Sequence, residues 1–363
     1  MQKPQIHIVL GTRPEIIKLS PVLSEFKRRR MRYKLIHTGQ HYSLNMDKIF
    51  FKDLMIPEPD YLLGVGPGPQ GSQTGKILIK IEKIFLKERP DVVLVEGDTN
   101  SVFATALAAT KLKIKVGHIE AGLRSFYREM PEEVNRILTD HVSDYLFAPT
   151  QISKENLLKE GIDKNKIFVT GNTIVDATLK NMSIAVKKSE ILSKLNVSKD
   201  NYFLLTLHRV ENVDNKKKLK EIISVIKELC KKYLMVFPAH PRTSKRIKEF
   251  YLSKNIKKIE NLRVIEPVGY LDFLKLEANA RLVLTDSGGI QEETCILNVP
   301  CVTLRENTER PETITVGSNV IVGLKQKTII DGVHKMLKKK RNWKHPFGDG
   351  KSGQKIVDIL INQ

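Results

Sequence analysis

Short β-branched apolar runs alternate with longer stretches of helical periodicity from one end of the chain to the other. In the first half the runs fall at 6–10, 33–38, 92–96, 116–119, 145–148 and 167–170. In the second they fall at 202–207, 234–237, 263–265, 281–285, 300–304 and 319–322. Strand, amphipathic helix and strand in repetition is the unit of a parallel sheet covered by helices on both faces. Two such series predict an α/β protein of two Rossmann-like, doubly wound domains, 1–170 and 171–353. A helix from about 173 to 188 bridges them, and a terminal helix within 354–363 packs back on the first domain.

Composition narrows the class. The chain has 363 residues, enough for two cores, and 41% hydrophobic with 28% charged residues is globular composition. Its three cysteines, Cys230, Cys295 and Cys301, form no CxxC pair, which fits a reducing compartment and neither a disulfide framework nor a zinc site. The first apolar run is too short for a signal peptide, and no segment approaches the roughly 18 apolar residues of a membrane span. The expectation is a cytoplasmic protein with no membrane partner.

The formal net charge of +20 raises the question of a polyanionic partner. Much of the excess sits in runs such as Lys27-Arg28-Arg29-Arg30, Lys216-Lys217-Lys218 and Lys338-Lys339-Lys340, in or at the ends of predicted helices. They read as solvated helix faces, and they lack the interleaved aromatics of a single-strand platform. No nucleic-acid partner is expected.

Four constellations can carry chemistry. Directly after the first strand comes Gly11-Thr12-Arg13-Pro14-Glu15-Ile16-Ile17-Lys18, where a helix start with free amides, Arg13 and Lys18 can neutralise a phosphate. Read structurally, it is only a capped turn. A similar device, Asp286-Ser287-Gly288-Gly289, follows the strand at 281–285. There Ser287 can cap a helix, Gly288 and Gly289 let a ligand approach the backbone, and Glu292 or Glu293 can accept from ribose hydroxyls. One such site at a strand's carboxyl end in each domain points to a ligand in the cleft between them.

The third constellation is acidic. Asp98 and Glu120 follow strands, and Glu132 follows Pro131 at a helix start, so a parallel sheet can bring all three to one edge. Carboxylates that share a site drive their pKa values apart and can divide acid and base roles. Each also has a structural reading: Asp98 as a helix cap, Glu120 as an ion-pair partner, Glu132 as a first-turn acid. The fourth is His208-Arg209, after the strand at 202–207, with His240 at the same edge; His41 and His118 complete the histidines considered. None makes a metal-spaced pair. A run that satisfies GxGxxG on paper, Gly66-Pro67-Gly68-Pro69-Gln70-Gly71, has the wrong prolines and no strand before it. It reads as a mobile loop, not a dinucleotide site.

As a set these motifs resemble the non-hydrolysing UDP-N-acetylglucosamine 2-epimerases over nearly the whole chain. The match rests on GTRPEIIKLSP from Gly11, GQH from Gly39, EGDTNSVFATALAA from Glu96, HIEAGLRS from His118 and PEEVNRILTDH from Pro131. It continues with GNTIVDA from Gly171, LHRVEN from Leu207, PAHPRT from Pro238, TDSGGIQEE from Thr285 and ERPETITVGSNVIVG from Glu309.

The resemblance implies the GT-B type fold, with two domains facing across a cleft, and a homodimer. It implies conversion of UDP-GlcNAc to UDP-ManNAc through elimination of UDP to 2-acetamidoglucal and re-addition, for surface polysaccharide or glycan synthesis, with no cofactor and no metal. By matched motif, Asp98, Glu120 and Glu132 are catalytic carboxylates and His208 a diphosphate-side residue needed for turnover. Arg13 and Lys18 are ligand-binding cations, Ser287 with Gly288 a phosphate turn, Glu293 a ribose acid and Arg310 a diphosphate arginine. The backbone around Phe273 contacts uracil. Gln40, Gln70, Glu132, Arg209 and His240 resemble parts of a second site at which UDP-GlcNAc activates bacterial members, although Tyr42-Ser43 departs from their usual residues. The competing expectations are a hydrolysing epimerase releasing ManNAc and UDP, a GT-B glycosyltransferase, and a basic nucleic-acid-binding protein.

Overall fold

The computed structural model describes residues 4–40, 51 and 53–362. His41 and Tyr42-Ser43 therefore lie outside the described residues. The chain divides into two compact units, Met1–Leu179 with Phe347–Gln363, and Lys180–Pro346. The division falls inside the helix Thr173–Lys188, after Leu179, rather than near Gly171.

The first unit holds seven described strands: β1 (Ile6–Leu10), β2 (Tyr33–His37), β3 (Tyr61–Leu62), β4 (Val92–Glu96), β5 (Lys115–Ile119), β6 (Tyr145–Ala148) and β7 (Ile167–Val169). Their order is β3-β2-β1-β4-β5-β6-β7, with every neighbouring pair parallel. β1 and β4 are buried along their whole length, the mark of strands covered on both faces. β3 is absent from the sequence expectation because two residues carry no periodicity. The GxGxxG look-alike also differs: only 66–69 is irregular, and Gln70 and Gly71 open the helix Gln70–Lys87 behind Pro69.

The second unit repeats the plan with β8 (Tyr202–Thr206), β9 (Leu234–Pro238), β10 (Leu262–Ile265), β11 (Leu282–Thr285), β12 (Cys301–Thr303) and β13 (Asn319–Ile321). The order is β10-β9-β8-β11-β12-β13, again all parallel. In each sheet the winding direction reverses once, between β1 and β4 and between β8 and β11. Chain segments diverge at such a switch point and leave a crevice at the carboxyl ends, where open α/β sheets take ligands.

The C-terminal helix Ser352–Asn362 packs on the helix Arg13–Arg28. Gly353 lies so close to Pro21 that a Cβ would meet its carbonyl carbon at 2.9 Å, and Arg29 pairs with Asp358 at 2.6 Å. Asp176 accepts the amides of Ser352 and Gly353 at the start of this helix. The lysine runs at 216–217 and 338–340 are exposed, as solvated helix faces are. Among the described residues no helix is long and apolar enough to cross a membrane, and all three cysteines are buried and unpaired.

One buried group marks a weak point of the second unit. Glu277, on the helix Tyr270–Asn279, is fully buried and neither of its carboxylate oxygens has a hydrogen-bond partner. Burial first, and then the charge of Glu293, pushes its carboxyl well above the usual range. A carboxyl raised in the fold ionises more readily once unfolded, so this residue costs stability progressively as pH rises above the ordinary glutamate value. Glu277→Met, which keeps the volume, is expected to raise the unfolding free energy by about 1–3 kcal/mol at pH 8 and by less at pH 5. Denaturant titrations at the two pH values measure it; an equal effect at both would contradict the assignment.

Candidate active site

The first site lies at the carboxyl ends of β1, β4 and β5. Gly11 follows β1 under the hydroxyls of Thr38 and Ser101, which bond each other at 2.7 Å and leave no room for a side chain. The next helix begins at Arg13 with a capping box: Glu15 turns back and accepts the amides of Gly11 and Thr12, and at 2.6 Å the Thr99 hydroxyl. Two amides just before the helix thus hold a carboxylate of the chain itself. Short-range capping satisfies those donors before any ligand arrives. Burial pushes the Glu15 carboxyl up to about 7, against the pull of these hydrogen bonds.

Arg13 stays half-exposed at the helix start, whereas Lys18, one turn further on, is buried. Its ammonium contacts Glu120 and stands 3.6 Å from Glu96. Glu120 follows β5 with φ +73, a backbone region uncommon for a residue with a side chain, and also receives Asn172 Nδ2 at 3.4 Å. Glu96 ends β4 fully buried. Desolvation, opposed by Lys18 and reinforced by Glu120, Glu15 and Asp98, drives its carboxyl well above the usual range. One ammonium therefore serves two carboxyl groups, Glu96 and Glu120.

A second cation repeats the arrangement. Asp98 follows β4, and its carboxylate contacts Arg136, buried on the helix Pro131–Val142; the same guanidinium contacts Glu133. Asn135 donates to the Asp98 carbonyl at 3.0 Å. Thr99, not Asp98, caps the following helix by accepting the Val102 amide at 3.4 Å. Glu133 accepts the amides of Ser125 and Phe126 and the Ser125 hydroxyl, and so fixes the loop that leads to this helix. Glu132 is half-buried in the first turn of that helix. β4 and β5 are adjacent, so the structure brings Asp98 and Glu120 to one sheet end, with the helix that carries Glu132 held there by Asn135 and Arg136.

Gln40 and Gln70 meet at the neighbouring helix start: Gln40 accepts the Ser101 amide and hydroxyl, and Gln70 accepts Asn100 Nδ2. His118 proves structural. It is buried, with Nδ1 2.6 Å from Asp140 and Nε2 2.8 Å from the Gly97 carbonyl, and Arg124 closes the cluster 2.7 Å from Asp140.

In the second unit the segments after β8 and β11 meet at the switch point. His208 and Arg209 follow β8, and Asp286, Ser287, Gly288 and Gly289 follow β11. Asp286 is fully buried and accepts the His208 and Arg209 amides and Asn212 Nδ2 at 3.0–3.1 Å, with His208 Nδ1 at 3.1 Å. Burial opposes its ionisation, but His208 and these N–H groups outweigh that and hold the carboxyl below the usual range. Gly288 opens the helix Gly288–Ile296 against Arg310, whose guanidinium would lie 3.2 Å from any Cβ there, while Gly289 faces open space.

The buried Arg310 pairs with Glu309 at 2.7 Å and Glu292 at 3.0 Å. Arg209 reaches Glu309 at 3.7 Å. Of the two glutamates considered for ribose, Glu292 is thus engaged by Arg310, and Glu293 accepts the Tyr270 hydroxyl at 2.8 Å. Phe273 lies in the first turn of the Tyr270–Asn279 helix, with its amide already donated to Gly269. His240 caps the helix Pro241–Glu249, and its ring centroid is 5.5 Å from that of His208.

Sequence reasoning missed Glu96, Glu133, Arg136, Asp286 and Glu309. Glu133 and Arg136 stand three apart in the stretch that begins at Pro131, a spacing that faces one way on a helix and so offered a signal. Nothing local singled out the others.

A switch-point crevice in each of two doubly wound units, with carboxylates at one and an arginine-flanked glycine turn at the other, marks an α/β protein with a ligand-binding sheet edge in each unit. A family model described as UDP-N-acetylglucosamine 2-epimerase matches residues 24–361. The UDP-N-acetylglucosamine 2-epimerase of Methanocaldococcus jannaschii is 61% identical over 360 residues, covering 98% of each chain. That of Methanococcus maripaludis is 57% identical over 364 residues, covering 99% of each. The crystal structure of the Methanocaldococcus jannaschii UDP-GlcNAc 2-epimerase in complex with UDP-GlcNAc and UDP superposes with a TM-score of 0.95 at 60% identity, over 99% of this chain and 100% of that one. The chain belongs to the UDP-N-acetylglucosamine 2-epimerase family, and its fold is of the GT-B type.

Proposed function

We propose that this chain inverts C2 of UDP-N-acetylglucosamine reversibly, giving UDP-N-acetylmannosamine without net hydrolysis and without a cofactor or metal. The observation that carries the reading is the pair Asp98 and Glu120 at the ends of adjacent strands, each against its own buried cation, Arg136 and Lys18.

The chemistry needs such a pair. The C2 proton is not next to a carbonyl and is poorly acidic, so cleavage of the C1–O bond must lead. As that bond breaks, its electrons pass to the departing UDP, a carboxylate takes the C2 proton, and the C1–C2 double bond of 2-acetamidoglucal forms. The return adds the UDP oxygen to C1 and a proton to the opposite face of C2, which calls for acid and base groups on both sides of the ring. Asp98, Glu120 and Glu132 supply them in this reading.

The diphosphate would meet Arg13, His208, Arg209, Arg310 and the amides after Ser287, with Gly288 and Gly289 allowing its approach. Donors on the leaving diphosphate stabilise the charge that develops as the C1–O bond breaks. Glu293 would hold the ribose and the segment around Phe273 the uracil. Lys18 would be a ligand-binding cation that also orients Glu120, which it contacts. Gln40, Gln70, Glu132, Arg209 and His240 would contribute to an activating second UDP-GlcNAc site. The enzyme is read as a cytoplasmic homodimer that serves surface polysaccharide or glycan synthesis.

Product analysis from UDP-GlcNAc tests the non-hydrolytic step. A stable mixture of UDP-GlcNAc and UDP-ManNAc is expected. Stoichiometric free ManNAc and UDP would overturn it in favour of a hydrolysing enzyme.

A further inference from the structure

We propose that Asp286 is a positioning residue that holds His208 as an imidazolium when the diphosphate binds, so that the outer nitrogen, Nε2, presents an N–H to the leaving UDP. The inference rests on the reading of the site given above and assigns a function to a residue outside that reading.

The geometry points one way. Asp286 has no exposed surface and turns both carboxylate oxygens toward the segment after β8. The His208 and Arg209 amides and Asn212 Nδ2 fix the carboxylate, and Asn212 is itself anchored by donating to the Leu304 carbonyl at 3.0 Å. The ring nitrogen Nδ1 stands 3.1 Å from Asp286 Oδ1, and a carboxylate only accepts, so the proposal places a proton on Nδ1. With Nδ1 protonated, a neutral ring would offer a lone pair at Nε2 and repel a phosphate oxygen. Only the doubly protonated ring donates from both nitrogens, and a buried carboxylate on one side with a diphosphate on the other favours that form.

The remaining charged neighbours are consistent. His240, 5.5 Å away ring to ring, accepts the Arg242 amide on its own Nδ1. Arg209 is drawn toward Glu309. Asp286 is thus the one carboxylate among the described residues that pairs with the His208 ring. No proton is consumed in the step: the C1–O electron pair goes to the β-phosphate oxygen, and Nε2–H hydrogen-bonds that oxygen in both directions of the reaction.

The test is nitrogen-15 NMR of histidine-labelled full-length protein saturated with UDP at pH 7.5, with His208→Gln to assign the signal. Both ring nitrogens of His208 are expected to be protonated in the wild type. In Asp286→Asn, where an amide N–H faces Nδ1, the ring is expected to be neutral with the proton on Nε2. That variant is further expected to lose about 100-fold in kcat with KM changed less than about threefold, and Asp286→Glu to recover part of the loss. A neutral His208 in the wild-type UDP complex, or an Asp286→Asn variant with an unchanged ring and kcat, overturns the proposal. A purely structural Asp286 would lower the melting temperature without altering the protonation of the ring. The NMR result needs no turnover, so it separates this inference from the epimerase reading, which fails only if the wild type does not interconvert UDP-GlcNAc and UDP-ManNAc.

Discussion

Glu120→Gln is expected to lower kcat by about 10³-fold while affinity for UDP stays within about threefold of the wild type. The amide has the size of the carboxylate but neither its charge nor its basicity, so it cannot serve in the acid or base role proposed for Glu120. The backbone at Glu120 already has φ +73, and β5 with Asn172 fixes the direction of the side chain, so the substituted group sits in the same place. Binding is expected to survive because the groups proposed for UDP are carried largely by the segments after β8 and β11. Single-turnover kinetics together with calorimetric titration of UDP give the two quantities. A variant that kept its kcat, or lost UDP binding in step with turnover, would remove Glu120 from the chemistry.

Lys18→Met is the second large effect, and it reaches stability as well as turnover. Removing the ammonium takes away the buried cation that contacts Glu120 and stands 3.6 Å from Glu96. Breaking a buried pair from one side typically costs about 3–5 kcal/mol, because the stranded charge has no water to return to. That cost is expected in denaturant unfolding at neutral pH. It should shrink as pH falls toward the ordinary carboxylate range, where protonation removes the unpaired charge. Glu96 is already held well above that range in the wild type, so the loss of the ammonium is expected to be felt first by Glu120. A loss of stability that does not vary with pH would mean that Lys18 acts through packing of its stem instead.

The parts of this arrangement that were legible in the sequence share a cause. β1, β4 and β11 are buried along their whole length and β5 at all but its first residue, so their apolar runs stand out, and polar residues at their ends mark the carboxyl edge of the sheet. Asp98 and Glu120 were found that way. What escaped depends on tertiary neighbours. Glu96 closes an apolar run and reads as its last residue; only the approach of Lys18 from another element gives it a role.

Asp286 sits inside the turn that was noticed, yet its partners lie 74 to 78 residues away. The amides at Gly11 and Thr12 are taken up for the opposite reason. Glu15, in the same segment, satisfies them locally, and the capping-box spacing that announces it was visible in the sequence all along.

The measurement that bears most directly on the account is incorporation of solvent deuterium. UDP-GlcNAc incubated with the enzyme in deuterium oxide is expected to return as a mixture of UDP-GlcNAc and UDP-ManNAc that both carry deuterium at C2, because the proton removed in the elimination exchanges before one is added back. Interconversion with retention of the original C2 hydrogen, or no deuterium at C2 in any product, would contradict the elimination and re-addition on which the roles of Asp98, Glu120, Glu132 and His208 depend.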